Sequence, residues 1–144
     1  MTEPATHGRA RDADVPPGAV HRTSVQMRFA DTDALGHVNN GSFVVYTEIA
    51  RLDFFRAIGS EVQSLILARI AVDFRKQVLF DAEVSVDTWV DRIGTTSVTL
   101  QQVIRANDVV ATEIESVVVS YDYERQRSSP WTPETRATLE RYRR

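Results

Sequence analysis

Two aspartates, a histidine and two asparagines crowd the stretch from Asp31 to Asn40, and a glutamate, Glu48, follows soon after. A carboxylate at Asp33 with an imidazole at His37 can act as base, acid or nucleophile toward a carbonyl substrate. Asp31-x-Asp33-x-x-Gly36 also spells the opening of a calcium loop. Leu35 and Ser42 stand at its fifth and twelfth positions, where oxygen ligands are required, so calcium is not expected. No Gly-x-Ser-x-Gly elbow, Walker loop or dinucleotide fingerprint occurs. The 144 residues contain no cysteine, which removes thiolate nucleophiles, disulfides and thiolate metal sites together. The other histidines are His7 and His21, well separated in the chain, so no metal site is expected.

These groups need a scaffold, and the loop runs straight into one. A helix is expected over residues 40–58, with Phe43, Tyr46, Ile49, Phe54 and Ile58 among apolar residues that reach almost all the way round it. Gly59 supplies its C-terminal stop. The first amides of this helix lack intrahelical acceptors and lie at the positive end of its dipole. N–H groups from about Asn40 to Phe43 are therefore placed to polarise a carbonyl oxygen. Asp31 reads as a cap or turn former, and Asn39 and Asn40 as loop formers and caps.

Residues 1–20, with five prolines and glycines among scattered charges, are expected to be a disordered tail. From His21 the pattern alternates, with Val25, Met27 and Phe29 on one face of a strand. Four more strands are read at residues 67–76, 82–91, 96–105 and 109–123. In the last, Glu113 and Glu115 share a face with Val117 and Val119, which predicts a bulge or a change of environment. Residues 126–144 read as a C-terminal tail, with Pro133 opening a short exposed helix. The domain proper, residues 21–125, is α+β: an antiparallel sheet of about five strands and one long helix. One sheet covers one side of that helix. The other side is left for a second subunit or a ligand.

Net charge is −3 without a basic stripe, so no nucleic-acid partner is expected. No apolar run approaches the span of a bilayer and the N-terminus lacks a signal-peptide core, which points to no membrane partner and a cytoplasmic location.

The run Asp33-Ala34-Leu35-Gly36-His37-Val38-Asn39-Asn40, followed by Phe43, Tyr46, Glu48 and Arg51, resembles the signature of the hotdog-fold acyl-CoA thioesterases of the 4-hydroxybenzoyl-CoA thioesterase type. Val72-Asp73-Phe74-Arg75-Lys76 and the strand order extend the resemblance across residues 21–123. It implies a hotdog fold, with the sheet wrapped around the central helix. It implies a homodimer or homotetramer with active sites between subunits, and an acyl-CoA substrate. Coenzyme A is then part of the substrate, and no separate cofactor is expected. Asp33 occupies the position of the family's catalytic carboxylate, acting as nucleophile through an anhydride or as general base for water.

The remaining roles follow from that resemblance and from position. The plant acyl-carrier-protein thioesterases share the His-Val-Asn-Asn segment and use its histidine, but Leu35 stands where their catalytic asparagine would be, so His37 is a proton shuttle or a loop-holding residue. Asn40 brings its backbone N–H to the oxyanion. A related branch takes its carboxylate from the central helix, which makes Glu48 the second choice for acid or base, against an ion pair with Arg51 three residues on. Asn39 and Gly41 at the loop–helix junction, and Phe43 and Tyr46 on the helix, are candidate substrate-binding residues. Arg75 and Lys76 are candidates for the coenzyme A phosphates. A strand followed by Asp-x-Asp also resembles haloacid-dehalogenase-type phosphatases, but the parallel strand–helix–strand units of that fold do not follow. Two rivals stand beside hydrolysis. A hotdog hydratase or dehydratase would pair Asp33 with His37, although the Asn-Pro motif between its aspartate and histidine is absent. A non-catalytic acyl-CoA binding module would keep the pocket with Asp33 dispensable.

Overall fold

The structure, a computed structural model, describes residues 15–144; most of the expected N-terminal tail lies outside the described residues. The rest of that segment is anchored. The Ala19 amide donates to the Arg141 carbonyl at 3.1 Å, Arg141 Nη1 donates to the Val15 carbonyl at 2.9 Å, and both small side chains pack on the core. Its partners come from the far end of the chain, where no local pattern reveals them.

In chain order the elements are β1 (His21–Val25), α1 (Asn40–Ala57), β2 (Leu65–Phe74), β3 (Val84–Ile93), β4 (Ser97–Ala106), β5 (Val109–Asp122), β6 (Arg127–Ser128) and α2 (Pro133–Arg141), with 3-10 turns at Phe29–Asp31 and Val62–Ser64. All strands pair antiparallel in the order β1-β3-β4-β5-β2, with the short β6 beside β5. The curled sheet with its helix is the expected α+β hotdog architecture. β1 is shorter than its alternation predicts. The chain leaves the sheet after Val25 and turns through Phe29, which is 79% exposed instead of facing the core.

The inner face of the sheet carries Val86, Thr88 and Val90 of β3, Leu100, Gln102 and Ile104 of β4, and Thr112, Ile114 and Ser116 of β5. Against it α1 buries Phe43, Tyr46, Ala50, Phe54 and Phe55. Full burial of each aromatic contributes about 1.5–3 kcal/mol. Asn39 caps the helix, its side chain accepting from the Gly41 amide, and Gly59 ends it at φ +78°, a left-handed conformation that favours glycine. Val44, Val45 and Ile49 remain exposed on the far side, so the sheet covers the helix on one side only.

β5 has a bulge at Ala111, ahead of the residues whose mixed pattern prompted the expectation: Glu113, Glu115, Val117 and Val119 stay in register on one face, opposite the buried Ile114, Ser116 and Val118. Pairing with β4 steps from Ile104↔Thr112 to Arg105↔Val110, and the Ala111 carbonyl accepts from the amides of Arg75 and Lys76 at 2.8 and 3.0 Å. Glu113 and Glu115 then point outward, where they pair with Arg75 and Arg69.

The C-terminal helix forms where Pro133 predicts it, capped by Thr132, but it is not an exposed appendage. Leu139 is fully buried, Trp131 stacks on Phe55 with ring centres 6.5 Å apart, and Tyr142 meets Phe54 edge-on at 5.1 Å. Backbone bonds from Val90 N–H to the Tyr142 carbonyl and from Arg144 N–H to the Val90 carbonyl stitch this end to β3. Among the described residues no helix is long and apolar enough to cross a membrane.

Candidate active site

The loop between β1 and α1 folds back on itself. Thr32 and Val38 form an antiparallel bridge, the Asp33 amide donates to the His37 carbonyl at 2.8 Å, and the Gly36 amide donates to the Asp33 carbonyl at 3.1 Å. Gly36, at φ +76°, makes the reversal possible. A second connection braces the loop from outside. Val38 N–H donates to the Val78 carbonyl, Phe80 N–H donates to the Gly36 carbonyl, and His37 bridges Leu79.

Asp31 anchors the loop to the core. It is 3% exposed and its carboxylate accepts from the Tyr46 hydroxyl at 2.8 Å, the Arg28 amide at 2.9 Å and Arg28 Nη2 at 3.0 Å. Burial opposes its charge, but those donors prevail and hold its carboxyl below the usual aspartate value. The same burial and the adjacent carboxylate push the Tyr46 hydroxyl above its ordinary value, which keeps it protonated as a donor. The Asp31 carbonyl also accepts from the Asn39 amide and the Ser42 hydroxyl, tying the loop to the first turn of α1. The cap or turn role expected of Asp31 is met by the bond from the Arg28 amide across the Phe29–Asp31 turn, and Tyr46, fifteen residues away, adds a partner that the sequence does not show.

Asp33 also accepts from loop amides but lies in a different setting. It is exposed, and its Oδ1 accepts from the Leu35 amide at 2.9 Å and the His37 amide at 3.2 Å. Its Oδ2 meets no donor among the described residues. The carboxylate is therefore oriented through one oxygen and available through the other. His37 lies on the same loop, half-buried, with its ring unengaged among the described residues.

Asn39, Asn40 and Gly41 follow at once as the cap and first residues of α1. The set of free helix amides is narrower than the sequence suggests: the Gly41 amide is taken by Asn39 Oδ1 at 2.8 Å and the Ser42 amide by the Asn39 carbonyl at 2.9 Å. The Asn40 amide meets no acceptor among the described residues. Phe43 and Tyr46 lie in the core, Phe43 packing edge-on against Tyr46 and Phe74. Arg75 and Lys76 follow β2. Arg75 is engaged by Glu113 at 2.9 Å and Asp73 at 3.8 Å, while Lys76 has no acidic partner within 4 Å among the described residues.

Glu48 stands apart from this group, farther along α1, and it does not form the expected ion pair with Arg51. Both line a separate cavity between α1 and the β2 edge. Two features of the loop go beyond the sequence expectations: the Tyr46–Asp31 latch and an exposed apolar rim of Phe29, Leu35, Leu79 and Phe80. The adjacent apolar residues Leu79 and Phe80, bounded by polar ones, are the available signal for the second.

The chain is similar to known proteins in sequence and in fold. The acyl-CoA thioester hydrolase YbgC of Escherichia coli O6:H1 is 29% identical over 109 residues, covering 70% of this chain and 81% of that protein. A predicted thioesterase from Bacillus stearothermophilus superposes with a TM-score of 0.81 at 28% identity, covering 88% of this chain and 98% of that one. A thioesterase from Thermus thermophilus, solved with coenzyme A and zinc, superposes with a TM-score of 0.75 at 31% identity, covering 82% and 90%. The model of the thioesterase-like superfamily matches residues 27–139, across the capped loop, the central helix and the sheet, and the chain belongs to that superfamily.

Proposed function

We propose that this chain is an acyl-CoA thioester hydrolase in which Asp33 is the reacting carboxylate. The observation that carries the reading is the asymmetry of that side chain: Oδ1 is fixed by two loop amides and Oδ2 has no donor among the described residues. A carboxylate already oriented loses little freedom when it reacts. The relatives named for acyl-CoA hydrolysis and the neighbour solved with coenzyme A support the substrate class.

In the reaction, Asp33 Oδ2 or a water that it deprotonates adds to the thioester carbonyl carbon. Charge collects on the carbonyl oxygen, where the Asn40 amide and the positive end of α1 favour it. The carbon–sulfur bond then breaks, coenzyme A leaves as thiolate and takes up a proton, and a free carboxylic acid remains. If Asp33 is the nucleophile, water opens its anhydride in a second step. His37, whose ring has no partner among the described residues, passes protons in this reading. Lys76, unlike Arg75, has its charge uncommitted and is the better candidate for a coenzyme A phosphate.

The site is open in a single chain. The apolar rim around the loop, the exposed side of α1 and the outer edges of β1 and β2, which pair with no further strand among the described residues, support a homodimer or homotetramer with the site at a subunit boundary.

The test is release of free thiol from a panel of acyl-CoAs by wild type and Asp33→Asn. Wild type should turn over at least one thioester, and the variant should lose about 10²–10⁴ in kcat at unchanged melting temperature. Near-full turnover by Asp33→Asn would sink the assignment. Consumption of an enoyl-CoA without thiol release would replace hydrolysis by hydration.

A further inference from the structure

Between α1 and the β2 edge lies an open-mouthed cavity of about 240 Å³, lined by Leu52 and Phe55 of the helix and by Leu65 and Leu67 of the strand. Its lining is apolar apart from Glu48, which is exposed, and Arg51, which is 6% exposed. Arg51 donates through Nη1 to the Thr47 hydroxyl at 3.2 Å. Among the described residues its Nε and Nη2 have no partner, and no carboxylate lies within 4 Å. Thr47 is held in turn, since its carbonyl accepts from Gln102 Nε2 at 3.2 Å.

The guanidinium is thus braced along one side and open along its Nε–Nη2 edge, the fork that receives a carboxylate through two parallel bonds. A buried cation without a counter-ion is costly. Loss of solvent lowers its pKa from the usual arginine value, with Glu48 opposing that shift only in part. Glu48 is too far to serve as the missing anion.

We propose that this cavity receives the far end of the acyl group and that Arg51 selects acyl chains ending in a carboxylate, a reading that rests on the thioester-hydrolase function above. The helical rise from Asn40 to Arg51 is roughly 16 Å, so a chain of medium length spans from a thioester at the start of α1 to the cavity. Val44, Val45 and Ile49, exposed along that stretch, offer apolar contact on the way. A methyl terminus would displace water from the guanidinium without replacing its hydrogen bonds, whereas a carboxylate pairs with it.

The experiment compares dodecanedioyl-CoA with dodecanoyl-CoA, in turnover and in equilibrium binding, for wild type and Arg51→Met. Wild type should favour the dicarboxylic thioester by about tenfold or more in kcat/KM, and Arg51→Met should abolish or reverse that preference. Without ligand, Arg51→Met should melt at the same temperature or higher, because the variant removes an unpaired buried charge. The proposal is overturned if wild type shows no preference, if Arg51→Met slows both substrates equally, or if the variant melts lower, as a structural cation would require. A binding preference without thiol release from either compound would keep Arg51 in this role and remove the hydrolase reading. Turnover without preference would do the reverse.

Discussion

Replacing Tyr46 by phenylalanine deletes one hydroxyl and leaves the ring in the core, which isolates the latch between α1 and the loop that carries Asp33. The hydroxyl donates to Asp31 at 2.8 Å, and hydrogen bonds to buried charged groups are worth about 1.5–3 kcal/mol. Arg28 keeps its two bonds to the same carboxylate, and the variant no longer has to bury a hydroxyl, so a loss of about 1.5–2 kcal/mol is expected. For a chain of this size that corresponds to a fall of about 5 °C in Tm. The sign with pH follows from Asp31, whose pKa in the folded state lies below that of an ordinary aspartate. Its stabilising contribution is complete above the ordinary value and is lost as pH falls through the folded pKa. The difference between wild type and Tyr46→Phe should therefore be full at pH 7 and shrink below about pH 4, as the carboxylate becomes a neutral acceptor. Urea unfolding of both proteins at pH 7 and at the lowest pH where both remain folded measures it. A difference under about 0.5 kcal/mol at pH 7, or one that does not change with pH, would refute the latch.

Two further changes test the frame. Trp131→Ala removes a ring stacked on Phe55, together with an indole N–H bond to the Ser97 carbonyl at 3.0 Å, and should cost about 3–5 kcal/mol by the urea midpoint, where a loose tail would cost almost nothing. Gly59→Ala meets no atom of the described residues within 4 Å, so its cost is the left-handed backbone alone, about 1–2 kcal/mol, with thiol release unchanged.

Much of this arrangement is legible in the sequence because its signals are local. Asn39, Gly59 and Thr132 mark helix ends by their own chemistry, and the alternation in β3 and β4 reports one buried face. The run from Asp33 to Asn40 announces the loop for a similar reason: a turn glycine, a cap and a carboxylate all act within a few residues. What escapes is made by distance. Nothing near Trp131 or Leu139 says that they complete the core beside Phe54 and Phe55, and nothing near Ala19 says that it meets Arg141. The expected pair of Glu48 and Arg51 meets a different limit. Helix spacing brings Glu48 close, but it does not decide that one side chain turns outward while the other is swallowed.

The near-uniform apolar surface of α1 leaves a question that hydrophobicity cannot answer. A cylinder that is greasy on every side gains almost as much from burial at one rotation as at another, and sliding by a turn changes little. Its orientation must come from contacts with direction. Gln102 Nε2 reaches the Thr47 carbonyl, the Tyr46 hydroxyl reaches Asp31, and His21 and Thr23 of β1 meet Asp53 at 2.8 and 2.6 Å. Each is satisfied at one rotation and one height of the helix. These few polar bonds act as the indexing pins of the molecule. They fix which face of α1 is turned away from the sheet, and hence what a substrate or a second subunit finds there.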